Sequence, residues 1–275
     1  MDIPAAVKGE SEDSPAPEPS VSPLKQENPP SRERVSLFKI PLDIVAPDRL
    51  KEALSDLLAS GEGKNIVLLS LTDLLRARRN GEYGSFVKKA GLVIPISKSL
   101  VGGLRFLTGK KAVRYMPFDF VINLLTVLEE RELSLYLLGG TRRILGKTER
   151  NIRQTFPHLY VVGRFIGGFR KQEEPAIIEA IRKASPSLLL VGKRVRGEEN
   201  WIVRNDKQLS RGLRLWCSDL YDVFAERKRR PSRKTFDRGL EWVIYCFRNP
   251  LKFFRVFSYF HYKLLLLFYK LFVKD

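Results

Sequence analysis

Cysteine, histidine and methionine are nearly absent from these 275 residues, at two each. Cys217 and Cys246 cannot build a disulfide framework; they suit a reducing compartment as packing residues. His158 and His261 stand alone, with no His/Cys/Asp grouping at ligand spacing, so no metal and no other cofactor is expected. Negative charge is also scarce: 31 Asp+Glu face 49 Lys+Arg, a formal charge of +18. Such an excess calls for an anionic partner, whether nucleic acid, anionic lipid or a phosphorylated substrate. Long apolar runs are missing too. The greasiest segment, residues 251–275, has no charge-free run beyond seven residues (Val256–Tyr262), where a membrane span needs about eighteen.

Residues 1–34 lack aromatic side chains and do not read as a secretory signal. They hold seven of the sixteen prolines, seven acids and four bases. A stretch of net charge −3 with so little apolar material cannot offset its ordering entropy, so a disordered tail is expected. The basic excess therefore lies elsewhere. From Gly192 to Asp275 there are twenty bases and nine acids, and Arg227–Lys234 packs six bases into eight positions.

The segment beyond that run is patterned. Projected at about 100° per residue, Lys252, Arg255, Lys263, Lys270 and Lys274 share an arc of roughly 100°, and Phe, Leu, Tyr and Val fill most of the rest. A basic stripe over a wide, aromatic-rich apolar face is the pattern of a helix lying on an anionic membrane surface. The alternative is a helix packed on the protein core or on a second copy in a homo-oligomer. Nucleic acid is not expected, because helix-turn-helix, metal-finger and aromatic-basic sheet motifs are all missing.

Between Phe38 and Ser218, short β-rich runs alternate with helical patterns. Strands are expected at 65–71, 91–96, 133–138, 159–163, 187–192 and 214–217, and helices at 141–156, 173–184 and 198–209. Continuous apolar runs such as Ser187–Gly192 read as strands buried on both faces. The alternation predicts an α/β, Rossmann-like layered domain with a mainly parallel sheet over 35–218, followed by a helical basic appendage over 219–275. Ligands in such sheets sit beyond the carboxyl ends of the strands. The turns at Gly139-Gly140-Thr141 and Gly192–Trp201 lie at such ends, although neither fits the dinucleotide fingerprint or the P-loop.

The order of segments from Asn65 to Tyr259 resembles the TagA/WecG/CpsF family of bacterial glycosyltransferases. The matching pieces are Ala77–Tyr83, Ala90–Pro95, Arg114–Asp119, Leu137–Gly140, Val161–Gly163, Leu190–Gly192 and Glu198–Ile202. The closing match is the most specific: Arg230-Pro231, Arg238–Trp242, Arg248-Asn249-Pro250 and Arg255. The resemblance implies inverting, metal-independent transfer of a sugar, a hexosamine or similar, from a UDP-sugar to a polyprenyl-diphosphate-linked saccharide. The site would be peripheral, at the cytoplasmic membrane face. It assigns Arg114, Gly139, Gly140, Gly192, Arg196, Glu198, Glu199 and Asp222 to the donor side. Arg238 and Arg255 would act on the leaving diphosphate from the appendage.

One corner departs from the pattern. The family's general base, an aspartate just after the strand reading Leu92–Pro95, corresponds here to Ile96. No Asp or Glu occurs between Glu82 and Asp119. Ser97 and Ser99 read as helix N-caps. Leu68 and Ser70 stand for the family's Thr-x-Asn, Gly168 for a Tyr, and Glu198 for a Gln. The residues leave two functions open: a divergent transferase using Asp119 or Glu82 as base, or a catalytically silent homologue that binds partners at the membrane. For Asp119 the plain alternative is a carboxylate at a helix start, and for Trp201 it is core packing.

Overall fold

The computed structural model describes residues 31–60, 63–79, 81–209, 211–239 and 255–272, and of Arg255 and Val256 the backbone alone. Residues 1–30 of the expected tail, and the lysines Lys252 and Lys274, lie outside the described residues.

Six strands form one sheet, and each was expected from the sequence. They are β3 (Lys64–Leu69), β4 (Leu92–Pro95), β5 (Ser134–Leu138), β6 (Tyr160–Phe165), β7 (Leu188–Val191) and β8 (Leu213–Trp216). Their order is β4-β3-β8-β7-β5-β6, and every neighbouring pair is parallel. Successive residues of a strand point to opposite faces, and both faces are dry except along the edge strand β6, where Tyr160 and Val162 are exposed. Ile66, Leu92, Ile94, Leu135, Leu137, Leu188 and Leu190 face one layer, built by α1 (Leu50–Ala59), α5 (Pro117–Glu130) and α6 (Arg142–Thr155). Val67, Leu69, Val93, Tyr136, Leu138, Leu189 and Val191 face the other. That second layer contains α2 (Leu71–Ala77), α3 (Glu82–Lys89), α4 (Lys98–Thr108), α7 (Glu174–Ala184) and α8 (Glu199–Asn205). Each such strand side chain contributes roughly 1.5–3 kcal/mol by leaving water.

Two shorter helices follow β8: α9 (Leu220–Phe224) and α10 (Arg233–Arg238). Trp201 is fully buried in the second layer, so it packs the core. Arg214 is enclosed on β8, where Nε donates to Asn65 Oδ1 at 2.8 Å and Nη2 meets Asp206 at 3.0 Å.

A hairpin of β1 (Glu33–Leu37) and β2 (Ile40–Ile44) opens the described chain, beginning inside the stretch read as tail. Its anchor is Asp43, which takes two bonds from the Arg34 guanidinium at 2.8 Å and one from the Val93 amide at 2.6 Å. A fully enclosed carboxylate needs that many donors to offset its desolvation.

The C-terminal helix spans Arg255–Phe272. One side packs on the chain's own core: Tyr262 is buried, with Tyr259, Leu265, Leu266 and Tyr269 beside it. Tyr262 and Tyr269 both pack edge-on against Phe38. On the opposite side Phe257, Phe260, Leu264, Leu267, Phe268, Leu271 and Phe272 are exposed. Lys263 and Lys270 are exposed too, and the Lys270 ammonium lies 5.6 Å from the ring of exposed Phe106 on α4. No helix among the described residues is long and apolar enough to cross a membrane.

Candidate active site

A cleft of about 1090 Å3 opens beyond the carboxyl ends of β3, β4, β7 and β8. Ser70, Ile96, Trp216 and Cys217 are on its strand side. Burial pushes the Cys217 thiol well above its usual range, which makes it a packing residue and no nucleophile. Ser258 and Tyr259 of the C-terminal helix border the opposite side.

The cleft's other wall is basic. Lys193, Lys228, Arg229, Arg230 and Arg238 all line it. Four contacts fasten the segment 228–239 there. Lys228 and Lys193 both pair with Asp219, and Arg230 reaches Asp119 at 3.3 Å. Arg114 donates from Nε to the Ile96 carbonyl at 2.8 Å and from Nη1 to the Phe236 carbonyl at 2.6 Å, with its guanidinium over the Phe236 ring. Lys98 Nζ donates to the Arg238 carbonyl at 3.2 Å. The segment is thus held at the cleft wall, which Arg229 and Arg238 also line. That arrangement suits the diphosphate groups that Arg and Lys recognise.

Carboxylates meet on a third side. Ser70 caps α2: its hydroxyl accepts from the Asp73 amide, and the Asp73 carboxylate accepts from the Ser70 amide at 3.1 Å. Nearby, Glu199 Oε1 accepts from the Tyr83 hydroxyl at 3.3 Å, and Oε2 lies 3.5 Å from Arg76 Nη1. The Arg76 guanidinium stacks on the Tyr83 ring at 3.8 Å and also bonds the Asn200 side chain. Burial first, and the Asp73 carboxylate second, raise the Glu199 carboxyl to about 7, against the opposing pull of Arg76 and Tyr83.

Of the residues expected from the sequence, Arg114, Glu198, Glu199, Arg238 and Ile96 line this cleft together. Gly139, Gly140 and Gly192 are not among the lining residues; their amides donate to the carbonyls of Phe165, Lys193 and Leu138 at 2.9, 2.7 and 2.7 Å. They let the ends of β5 and β7 touch, since a Cβ on Gly139 would meet Gly192 O at 2.8 Å and one on Gly192 the Tyr221 ring at 2.6 Å. Arg196 is exposed, and its carbonyl accepts from Arg204 Nη2 at 2.9 Å. Asp222 lies 3.9 Å from Arg227, and neither lines the cleft. Asp119 sits in the first turn of α5 and Glu82 in that of α3, also outside the lining set. Ser97 holds the N-cap position of α4, but its hydroxyl accepts from the Leu71 amide instead, at 3.1 Å. The side chain of Arg255 lies outside the described residues.

Reading the sequence missed Asp73, Arg76, Tyr83 and Asp219 as neighbours of the cleft. Only the Ser70-x-x-Asp73 spacing, a capping box, carries a local signal.

Comparison with known proteins gives this geometry its context. Residues 35–275 match the glycosyl transferase WecG/TagA/CpsF family. The chain belongs to that family. A curated relative is the N-acetylglucosaminyldiphosphoundecaprenol N-acetyl-beta-D-mannosaminyltransferase of Bacillus spizizenii, 20% identical over 182 residues, covering 66% of this chain and 70% of the relative. As a WecG/TagA/CpsF member, this chain is a glycosyltransferase by family whose cleft has an isoleucine, Ile96, where the resemblance calls for an aspartate.

Proposed function

We propose that the protein transfers a hexosamine from a UDP-sugar to a saccharide carried on polyprenyl diphosphate, while seated peripherally on the cytoplasmic face of the cytoplasmic membrane. One observation carries the reading: the helix with the exposed apolar side chains also lends Ser258 and Tyr259 to the basic cleft. An acceptor anchored in lipid could keep its polyprenyl chain in the bilayer and lay its diphosphate on Lys228, Arg229, Arg230 or Arg238. A UDP leaving group needs the same kind of charge, because negative charge grows on its β-phosphate as the glycosidic bond breaks. The family membership and the relative's acceptor, a diphosphoundecaprenol sugar, support the same assignment.

The test is UDP release by the full chain from UDP-N-acetylmannosamine, UDP-N-acetylglucosamine and related donors, with undecaprenyl-diphosphate-linked N-acetylglucosamine in anionic vesicles. Acceptor-dependent release from one donor is expected. Absence of turnover with every donor, together with no binding of UDP, would overturn the reading. It would favour a silent, membrane-bound binding protein, the alternative for which Ile96 at the base position speaks.

A further inference from the structure

Among the described residues, four carboxylates line the cleft: Asp73, Glu198, Glu199 and Asp219. Three of them are poorly suited to collect a proton from a substrate. Asp219 is clamped between Lys193 and Lys228, which occupy its two oxygens. Asp73 takes both the amide and the hydroxyl of Ser70 on Oδ2, which is committed to the cap of α2. Glu198 is exposed to solvent. Glu199 differs from all three. Its side chain is only 17% exposed, and its two contacts, at 3.3 and 3.5 Å, are long enough to leave acceptor capacity on both oxygens. It is also linked to the position that lost its aspartate. Ile96 adjoins Ser97, whose hydroxyl takes the Leu71 amide; Leu71 adjoins Ser70, which bonds the Asp73 carboxylate that faces Glu199.

We propose that Glu199 is the catalytic base of this transferase, taking the proton of the attacking acceptor hydroxyl in place of the aspartate absent at Ile96. The inference rests on the transferase reading given above. In the step, the acceptor oxygen forms a bond to the anomeric carbon as the bond from that carbon to the UDP oxygen breaks. The bonding pair leaves with UDP, the hydroxyl proton passes to Glu199, and it returns to solvent before the next turnover. A base works best when its affinity for the proton is matched to the working pH, and the burial that raises the Glu199 carboxyl supplies that match. The titratable groups facing it are Asp73 and Arg76 from α2 and Tyr83 from α3.

Those neighbours make the test specific. In the full chain, with UDP-N-acetylmannosamine and undecaprenyl-diphosphate-linked N-acetylglucosamine, Glu199→Gln should lower kcat by about 10²–10⁴-fold, the range of a lost general base. Its thermal unfolding should stay cooperative, which reports that the variant is folded. The wild-type kcat should fall off toward acid with an inflection near 7. Asp73→Asn should move that inflection down, because a repelling charge is gone; Tyr83→Phe should move it up, because a bond to the ionised form is gone. Wild-type turnover with Glu199→Gln retaining kcat, or an inflection that neither variant moves, overturns the assignment and leaves the transferase reading standing. A wild type that neither turns over nor binds UDP overturns both.

Discussion

The hydroxyl of Tyr262 donates to the carbonyl of Ser99 at 2.8 Å, and its ring covers Gly103 so closely that no Cβ fits between them. This contact seats the C-terminal helix on α4. It predicts that Gly103→Ala, which helix propensity alone would favour by up to about 1 kcal/mol, is destabilising. The overpacking cost of about 1–3 kcal/mol exceeds that gain, and denaturant unfolding should read the loss. An alanine variant as stable as the wild type would mean the helix is not held there.

The outward face of the same helix should behave in the opposite way. Phe260, Leu267 and Leu271 are 64%, 52% and 63% exposed. Replacing all three by Ser should leave the melting temperature nearly unchanged. Binding to anionic vesicles should drop by more than about tenfold, since each apolar side chain contributes roughly 1.5–3 kcal/mol when buried. Undiminished vesicle sedimentation would remove this face from the membrane contact.

Arg214 joins β8 to β3 and to the end of α8 through Asn65, Asp206 and the Leu209 carbonyl. Arg214→Met should cost roughly 2–4 kcal/mol, because it strands buried polar partners. Arg214→Lys should not restore the loss, since a point ammonium cannot bridge all three. Equal stability of either variant in urea titrations would refute the strut.

Glu199 also predicts a pH dependence of stability that needs no substrate. Its folded carboxyl is raised from 4.5 to about 7, so the folded state holds its proton more tightly than the unfolded chain. Stability from this group is complete below 4.5 and is lost as pH rises through about 7. Glu199→Gln should therefore gain on the wild type across that window, by up to about 3 kcal/mol. A constant difference between the two proteins from pH 4.5 to 8 would contradict the burial of the carboxylate.

The hairpin at Glu33–Ile44 shows where local pattern stops informing. Its anchor is one ion pair, Arg34 to Asp43, whose acceptor reaches β4 fifty residues on. Nothing in the neighbouring sequence marks that reach, and Arg34 read as part of the tail. The six sheet strands were legible because runs such as Leu188–Val191 are apolar on both faces, a property of four adjacent residues.

The sequence by itself determined the layered α/β domain and the basic run at 227–234. Each is a matter of composition or spacing between near neighbours. Only the tertiary structure decided that the C-terminal helix has two apolar faces, one packed on Phe38 and Gly103 and one exposed. It alone brought Glu199 beside Tyr83 and Arg76, 116 and 123 residues away in the chain. A carboxyl's affinity for its proton depends on the water and charge around it. Those surroundings exist only once α2, α3 and α8 pack together over one sheet.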